Sequence, residues 1–267
     1  MPGDDEAAGS ERGRSARPSR RRRIARRIGI ALGVVVALAV VAGLVWASTP
    51  HPADADGLAA VESDERVSVD ERDGLIVVLP TDAAAETLAG QGVVVLAGAR
   101  VDPRAYVRTF RDVAAEGAAV VIVRSPLTLA ILEQRPLSDV TAAVPGIDEW
   151  SVAGHSMGGV RACTYAEDDA VDALVLLASY CSLGDLSGRD DLTVLSITGS
   201  RDDVLNQEAA LDARSLLPDD AAFVELDGVS HAQFGDYGDQ PGDGEPAVSD
   251  DDAHAAIAAA IVDALRG

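Results

Sequence analysis

Apolar positions fall into three regimes along the 267 residues. The first is one unbroken run, residues 28–47, rich in Val, Ala, Leu and Ile and without a single charge. Twenty helical residues rise about 30 Å, the hydrocarbon thickness of a bilayer, so the run predicts a transmembrane helix, with a cleaved signal peptide as its rival. The second regime, residues 48–65 (STPHPADADGLAAVESDE), has no apolar period. Its proline, small and acidic residues predict a flexible linker with a reach of roughly 25 Å. From residue 66 the third regime alternates short apolar runs with amphipathic stretches.

In that third regime, residues 67–69 and 74–79 (GLIVVL) flank an Asp-Gly turn and predict an opening hairpin. Strands are expected next at 92–97 (GVVVLA), 118–123, 149–153, 173–178, 192–198 and 222–226. Most are continuous β-branched runs, as required of strands buried on both faces of a parallel sheet. Helices are expected at 103–116, which opens on Asp-Pro, and at 157–167, 205–216 and 252–265. Strand and helix alternating in this way predict a three-layer α/β/α, doubly wound, mostly parallel sheet over residues 66–267, carried behind a single transmembrane helix.

Charge gives this layout a direction. Residues 1–27 hold nine arginines against four acids, whereas residues 51–267 hold thirteen arginines against forty acids, and there is no lysine. Arg20, Arg21, Arg22, Arg23, Arg26 and Arg27 directly precede the apolar run and no basic residue follows it closely. Positive-inside asymmetry therefore predicts a cytoplasmic N-terminal tail, a single-pass anchor in the cell membrane and an extracytoplasmic body. So acidic a body repels phosphate backbones, which excludes nucleic acid as an expected partner.

Open α/β sheets place their chemistry at the carboxyl ends of the strands. Directly after the strand at 149–153 comes Gly154-His155-Ser156-Met157-Gly158-Gly159, followed by a helix, a G-x-S-x-G nucleophile elbow in strand–turn–helix context. Side chains at Gly154 and Gly158 would collide with the neighbouring strand and helix, and the turn projects the Ser156 hydroxyl above the sheet. A serine needs a base and an acid to orient it, in the chain order Ser, Asp or Glu, His. Asp202 and Asp203 follow the strand at 192–198, with the loop frame favouring Asp202, and His231 follows the strand at 222–226. The amide of Met157, at a helix N-terminus, is one expected oxyanion donor. The second is expected from the loop after the first central strand, at Ala99 with Gly98 as the fallback. Arg100, His155 and Gln233 are assigned to substrate binding, though Arg100 serves equally as a solubilising loop residue.

These residues carry a family resemblance. From about residue 66 onward the chain resembles the α/β-hydrolase superfamily, and within it the compact fold-5 branch. The resemblance rests on GARVDPRAY at 98–106, GHSMGG at 154–159, GSRDDV at 199–204 and SHAQFGDYGDQPGDG at 230–244. It implies a Ser156, Asp202 and His231 triad, and it departs from the family pattern at Ala99, where a second glycine is expected. Larger members insert a lid after the strand matching 173–178; here only residues 179–191 reach the next strand, which predicts an open, shallow site suited to small or extended substrates.

The glycine-aspartate loop after His231 is expected to be a pocket rim, since its carboxylates do not have EF-hand spacing. Cys163 and Cys181 are expected as buried thiols, with a disulfide as the alternative. No metal or cofactor is implied. The sequence thus predicts a membrane-anchored serine hydrolase of small ester-like molecules, against two rivals: a non-catalytic tethered binding protein on the same fold, and an envelope acyltransferase.

Overall fold

The computed structural model describes residues 20–47 and 49–267. Of the basic N-terminal tail, residues 1–19 lie outside the described residues. The chain forms two units, Met1–Val45 and Trp46–Gly267. Helix α1 (Arg20–Ala47) is continuous, and its stretch Arg27–Trp46 is long and apolar enough to cross a membrane. Ile28, Ile30, Val36 and Leu38 point in different directions around it and are all exposed, so α1 lacks the one-sided stripe of a helix packed on a soluble core.

The second unit begins with a departure from expectation. Residues 49–65 are not a free coil. His51 pairs with Val101 in an isolated parallel bridge, and the Asp54 carboxylate accepts the amides of Asp56 and Gly57, both at 2.9 Å, capping helix α2 (Ala55–Glu62). Val61 is buried, and Ala53 and Leu58 pack against the core. So few apolar residues give no helical period, and it is the cap and the tertiary contacts that fix the helix.

Eight strands follow: β1 (Val67–Arg72), β2 (Leu75–Pro80), β3 (Gln91–Leu96), β4 (Ala119–Val123), β5 (Glu149–His155), β6 (Ala173–Leu177), β7 (Thr193–Gly199) and β8 (Ala222–Leu226). They form one sheet in the order β1-β2-β4-β3-β5-β6-β7-β8. The β1–β2 and β2–β4 pairs are antiparallel and all the others parallel. Helices α3 (Ala105–Ala115) and α7 (Asp250–Leu265) cover one face, with Tyr106, Phe110 and Ile257 packed on Val93, Val95 and Val175. On the other face α5 (Met157–Tyr165) sets Ala162 and Tyr165 against Val94, Val152 and Leu174. Two shorter helices, α4 (Leu137–Thr141) and α6 (Gln207–Asp212), complete the set. Successive residues of β3 and β5 enter opposite cores, which is why β3 reads as an unbroken run of apolar residues from Val93 to Leu96.

The expectation of buried thiols is corrected: Cys163, on α5, and Cys181, past the end of β6, form a disulfide. The second turn of α5 crosses the loop after β6 and brings the two Cα atoms to 5.6 Å, within bridging range although the positions lie 18 residues apart.

Candidate active site

Strand β3 lies between β4 and β5, and from it the sheet is wound in both directions, so loops diverge at the carboxyl ends of β3 and β5 and leave a crevice. Ser156 sits there with φ 52° and ψ −122°, a strained conformation for a residue with a side chain. Two glycines permit that turn. A Cβ on Gly154 would lie 2.4 Å from the backbone of Gly158, and one on Gly158 would lie 2.1 Å from the Leu96 carbonyl oxygen. The turn is held from below: the Ser156 amide donates to the Leu177 carbonyl (3.0 Å), and the Ser179 hydroxyl donates to the Ser156 carbonyl (2.7 Å).

Asp202 and His231 meet above the ends of β7 and β8. Asp202 Oδ2 lies 2.8 Å from His231 Nδ1, and its Oδ1 accepts the amides of Val204 (2.9 Å) and Leu205 (2.8 Å). Of the two carboxylates open in the sequence, Asp202 is the buried one facing the histidine, while Asp203 is exposed. Ser156, Met157 and His231 line one cavity of about 290 Å³, whose other walls include Val160, Tyr180, Val204 and Leu205.

On the opposite lip, the Gly98 amide donates to the Tyr106 hydroxyl (2.8 Å), and that hydroxyl lies 2.7 Å from His155 Nδ1. The Gly98 amide is therefore occupied. Among the described residues the Ala99 amide has no acceptor, and the Met157 amide, first in α5, has none within its helix. Burial pushes the Tyr106 phenol above its ordinary range and keeps it a neutral hydrogen-bonding hydroxyl.

None of the three residues assigned to substrate contact lines this cavity. His155 is 1% exposed and packs its ring 4.6 Å from that of His231, with Nε2 buried and, among the described residues, without a hydrogen-bond partner. Burial, followed by the His231 imidazole beside it, holds its basicity well below the usual histidine range, so it is neutral. Gln233 turns inward, accepting the Ser230 amide (3.1 Å) and donating to the Val248 carbonyl (3.1 Å) and Asp250 (2.8 Å). Arg100 gives its guanidinium to the Thr49 carbonyl (2.8 Å).

Asp243, expected as a solvated carboxylate of the pocket rim, instead binds backbone amides. Its Oδ1 accepts the amides of His231 (3.1 Å), Gly244 (2.8 Å) and Asp203 (3.4 Å), and its Oδ2 accepts that of Ala232 (2.8 Å), so one carboxylate ties the histidine loop to the aspartate loop. Its placement between Gly242 and Gly244, in a turn where a short carboxylate can reach backbone amides, is the signal that marks it. Among the described residues no group of His, Cys, Asp and Glu side chains is arranged to hold a metal.

Residues 92–255 match the sequence model of a family described as the alpha/beta hydrolase family. No curated protein matches the chain in sequence. Among solved structures it resembles XC6422 from Xanthomonas campestris, described as an a/b serine hydrolase without lid, at 17% identity and a TM-score of 0.51, covering 74% of this chain and 94% of that one. It also resembles a predicted CIB-like hydrolase from Thermoplasma acidophilum, at 15% identity and a TM-score of 0.50, covering 75% of this chain and 99% of that one. At such identities the likeness concerns the fold.

Proposed function

Since the chain belongs to the alpha/beta hydrolase family, we propose that it is a membrane-anchored serine hydrolase that cleaves carboxylic esters of small or extended substrates. The observation that carries this reading is the 2.8 Å contact of His231 Nδ1 with Asp202, made beside a cavity that also contains the strained Ser156. With Nδ1 committed to the carboxylate, Nε2 is the nitrogen left to take the serine proton. Ser156 Oγ attacks the ester carbonyl, and the amides of Met157 and Ala99 receive the developing oxyanion. His231 returns the proton to the leaving alcohol. Water then attacks the acyl-enzyme with His231 again as base, freeing the acid and the serine. Asp202 fixes the tautomer and stabilises the imidazolium.

The connection from β6 to β7 is short, with little chain for a lid, which supports small or extended substrates over long sealed acyl chains. We read α1 as an uncleaved anchor, with the N-terminus cytoplasmic and the hydrolase unit outside. The Cys163–Cys181 disulfide supports that side, because such bonds persist in oxidising compartments. Ser156→Ala is expected to abolish both fluorophosphonate labelling and 4-nitrophenyl acetate turnover; a variant that still turns over at the native rate overturns the assignment.

A further inference from the structure

A second cavity, of about 300 Å³, adjoins the first, and the two share Ser179 and Tyr180 as lining residues. Its floor is the sheet face formed by Leu176 of β6, Ser196 and Thr198 of β7, and Phe223 and Glu225 of β8; α6 and the turn after it form the roof. Leu176, Leu217 and Phe223 form an apolar wall beside the polar Ser179, Gln207 and Glu225, and among the described residues neither Ser196 nor Thr198 has a hydrogen-bond partner for its hydroxyl.

Arg214 lines this cavity from the roof and stacks its guanidinium 4.0 Å over the Phe223 ring. No carboxylate among the described residues lies within ion-pair distance of it; Glu225, which also lines the cavity, does not pair with it. A guanidinium held flat on an aromatic ring, with its donor edges free, is an arrangement that recognises carboxylates. Because the surrounding domain is strongly acidic, a carboxylate gains attraction here only by reaching that guanidinium.

We propose that this cavity is an acyl-end subsite, which accepts an apolar acyl chain ending in a carboxylate and pairs that carboxylate with Arg214. The inference rests on the ester-hydrolase reading and narrows its substrate class to half-esters of dicarboxylic acids. The scissile carbonyl lies at Ser156, the methylene chain passes Tyr180 and runs along the apolar wall, and the free carboxylate meets the guanidinium.

The test compares full-length native protein and Arg214→Gln, in detergent, on 4-nitrophenyl butyrate and on the mono-4-nitrophenyl esters of glutaric and adipic acids. The native enzyme is expected to show a KM for at least one half-ester about tenfold below that for butyrate, and that advantage is expected to shrink as salt is raised. Arg214→Gln should raise the half-ester KM about tenfold while leaving kcat, the butyrate KM and the melting temperature unchanged, with Arg214→Lys in between. A native enzyme without half-ester preference, or a variant that raises both KM values alike, overturns the subsite. If no ester turns over, the hydrolase reading fails by itself, and calorimetric titration with glutarate judges the cavity: saturable heat lost in Arg214→Gln supports it, and no saturable heat in the native protein overturns it.

Discussion

Asp243 gives the sharpest test of how the site is assembled, because one side chain twelve residues beyond His231 holds both the loop of His231 and the loop of Asp202. Three of its four contacts are 3.1 Å or shorter, to the amides of His231, Ala232 and Gly244. A hydrogen bond to a charged group contributes about 1.5–3 kcal/mol. The carboxylate is only half-buried, so water replaces part of what Asp243→Ala removes, and the net loss is about 3 kcal/mol. Asp243→Asn is a finer probe. Its one remaining oxygen can keep the His231 and Gly244 bonds, both made to Oδ1, while its NH2 meets the Ala232 amide donor to donor at a cost of about 1–2 kcal/mol. A penalty of 2 kcal/mol against the aligned histidine is about thirty-fold in rate. Steady-state hydrolysis of 4-nitrophenyl acetate should therefore show kcat falling in the order native, Asn, Ala with KM nearly constant. The His231 Nδ1 proton resonance at low field should weaken in the same order. A lowered melting temperature with native kcat would make Asp243 a structural residue only, and an Asn variant slower than Ala would refute the bond-by-bond reasoning.

The sequence revealed what repeats or is locally self-sufficient. Strands β2, β3, β4 and β6 are legible because burial on both faces leaves unbroken apolar runs, and the elbow is legible because Gly154 and Gly158 are dictated by backbone approaches of 2.4 Å or less. What stayed hidden depends on contacts distant in the chain. Helix α2 has too few apolar residues to show a period and is fixed by the Asp54 cap and the core beneath Val61. The disulfide depends on how α5 crosses the loop after β6. His155 was open to a substrate role because adjacency to Ser156 in sequence does not reveal that alternation along β5 turns it down, onto Tyr106 and away from the cavity. Gln233 lies outside the cavity for a related reason: the short helical turn Ala232–Phe234 rotates it toward Val248 and Asp250. The Tyr106 hydroxyl that occupies the amide of Gly98, beside Ala99, is likewise a contact between separate stretches of chain that local pattern does not display.

Two further expectations concern stability. Cys163→Ser paired with Cys181→Ser removes a bridge between positions 18 residues apart, which should cost about 3 kcal/mol and lower the melting temperature of the hydrolase unit by roughly 6–12 °C; calorimetry of the native protein with and without reductant gives the same comparison, and no shift would mean that the bridge constrains nothing. Asp236 supplies a pH dependence. Burial, with Asp54 and Asp250 nearby and Asp251 adding to them against the opposing Arg108, raises its carboxyl to about 6 from an ordinary 3.8. Between those two values the unfolded chain has lost the proton that the folded protein retains, so this group destabilises the fold progressively as pH rises through the window, and below it the penalty vanishes. Its oxygen is packed so tightly on Gly57 that a Cβ there would lie 1.7 Å away, which leaves the ionised form little room to move off its acidic neighbours. Asp236→Asn preserves the shape and removes the charge. Because the side chain is partly exposed, screening limits the gain to about 1 kcal/mol. The variant should match the native protein near pH 4 and melt a few degrees higher at pH 7 to 8. Equal melting across the whole range, or a variant less stable at pH 7, would mean that Asp236 is ionised in the fold at little cost, and that the contact between α2 and the histidine loop is not strained by charge.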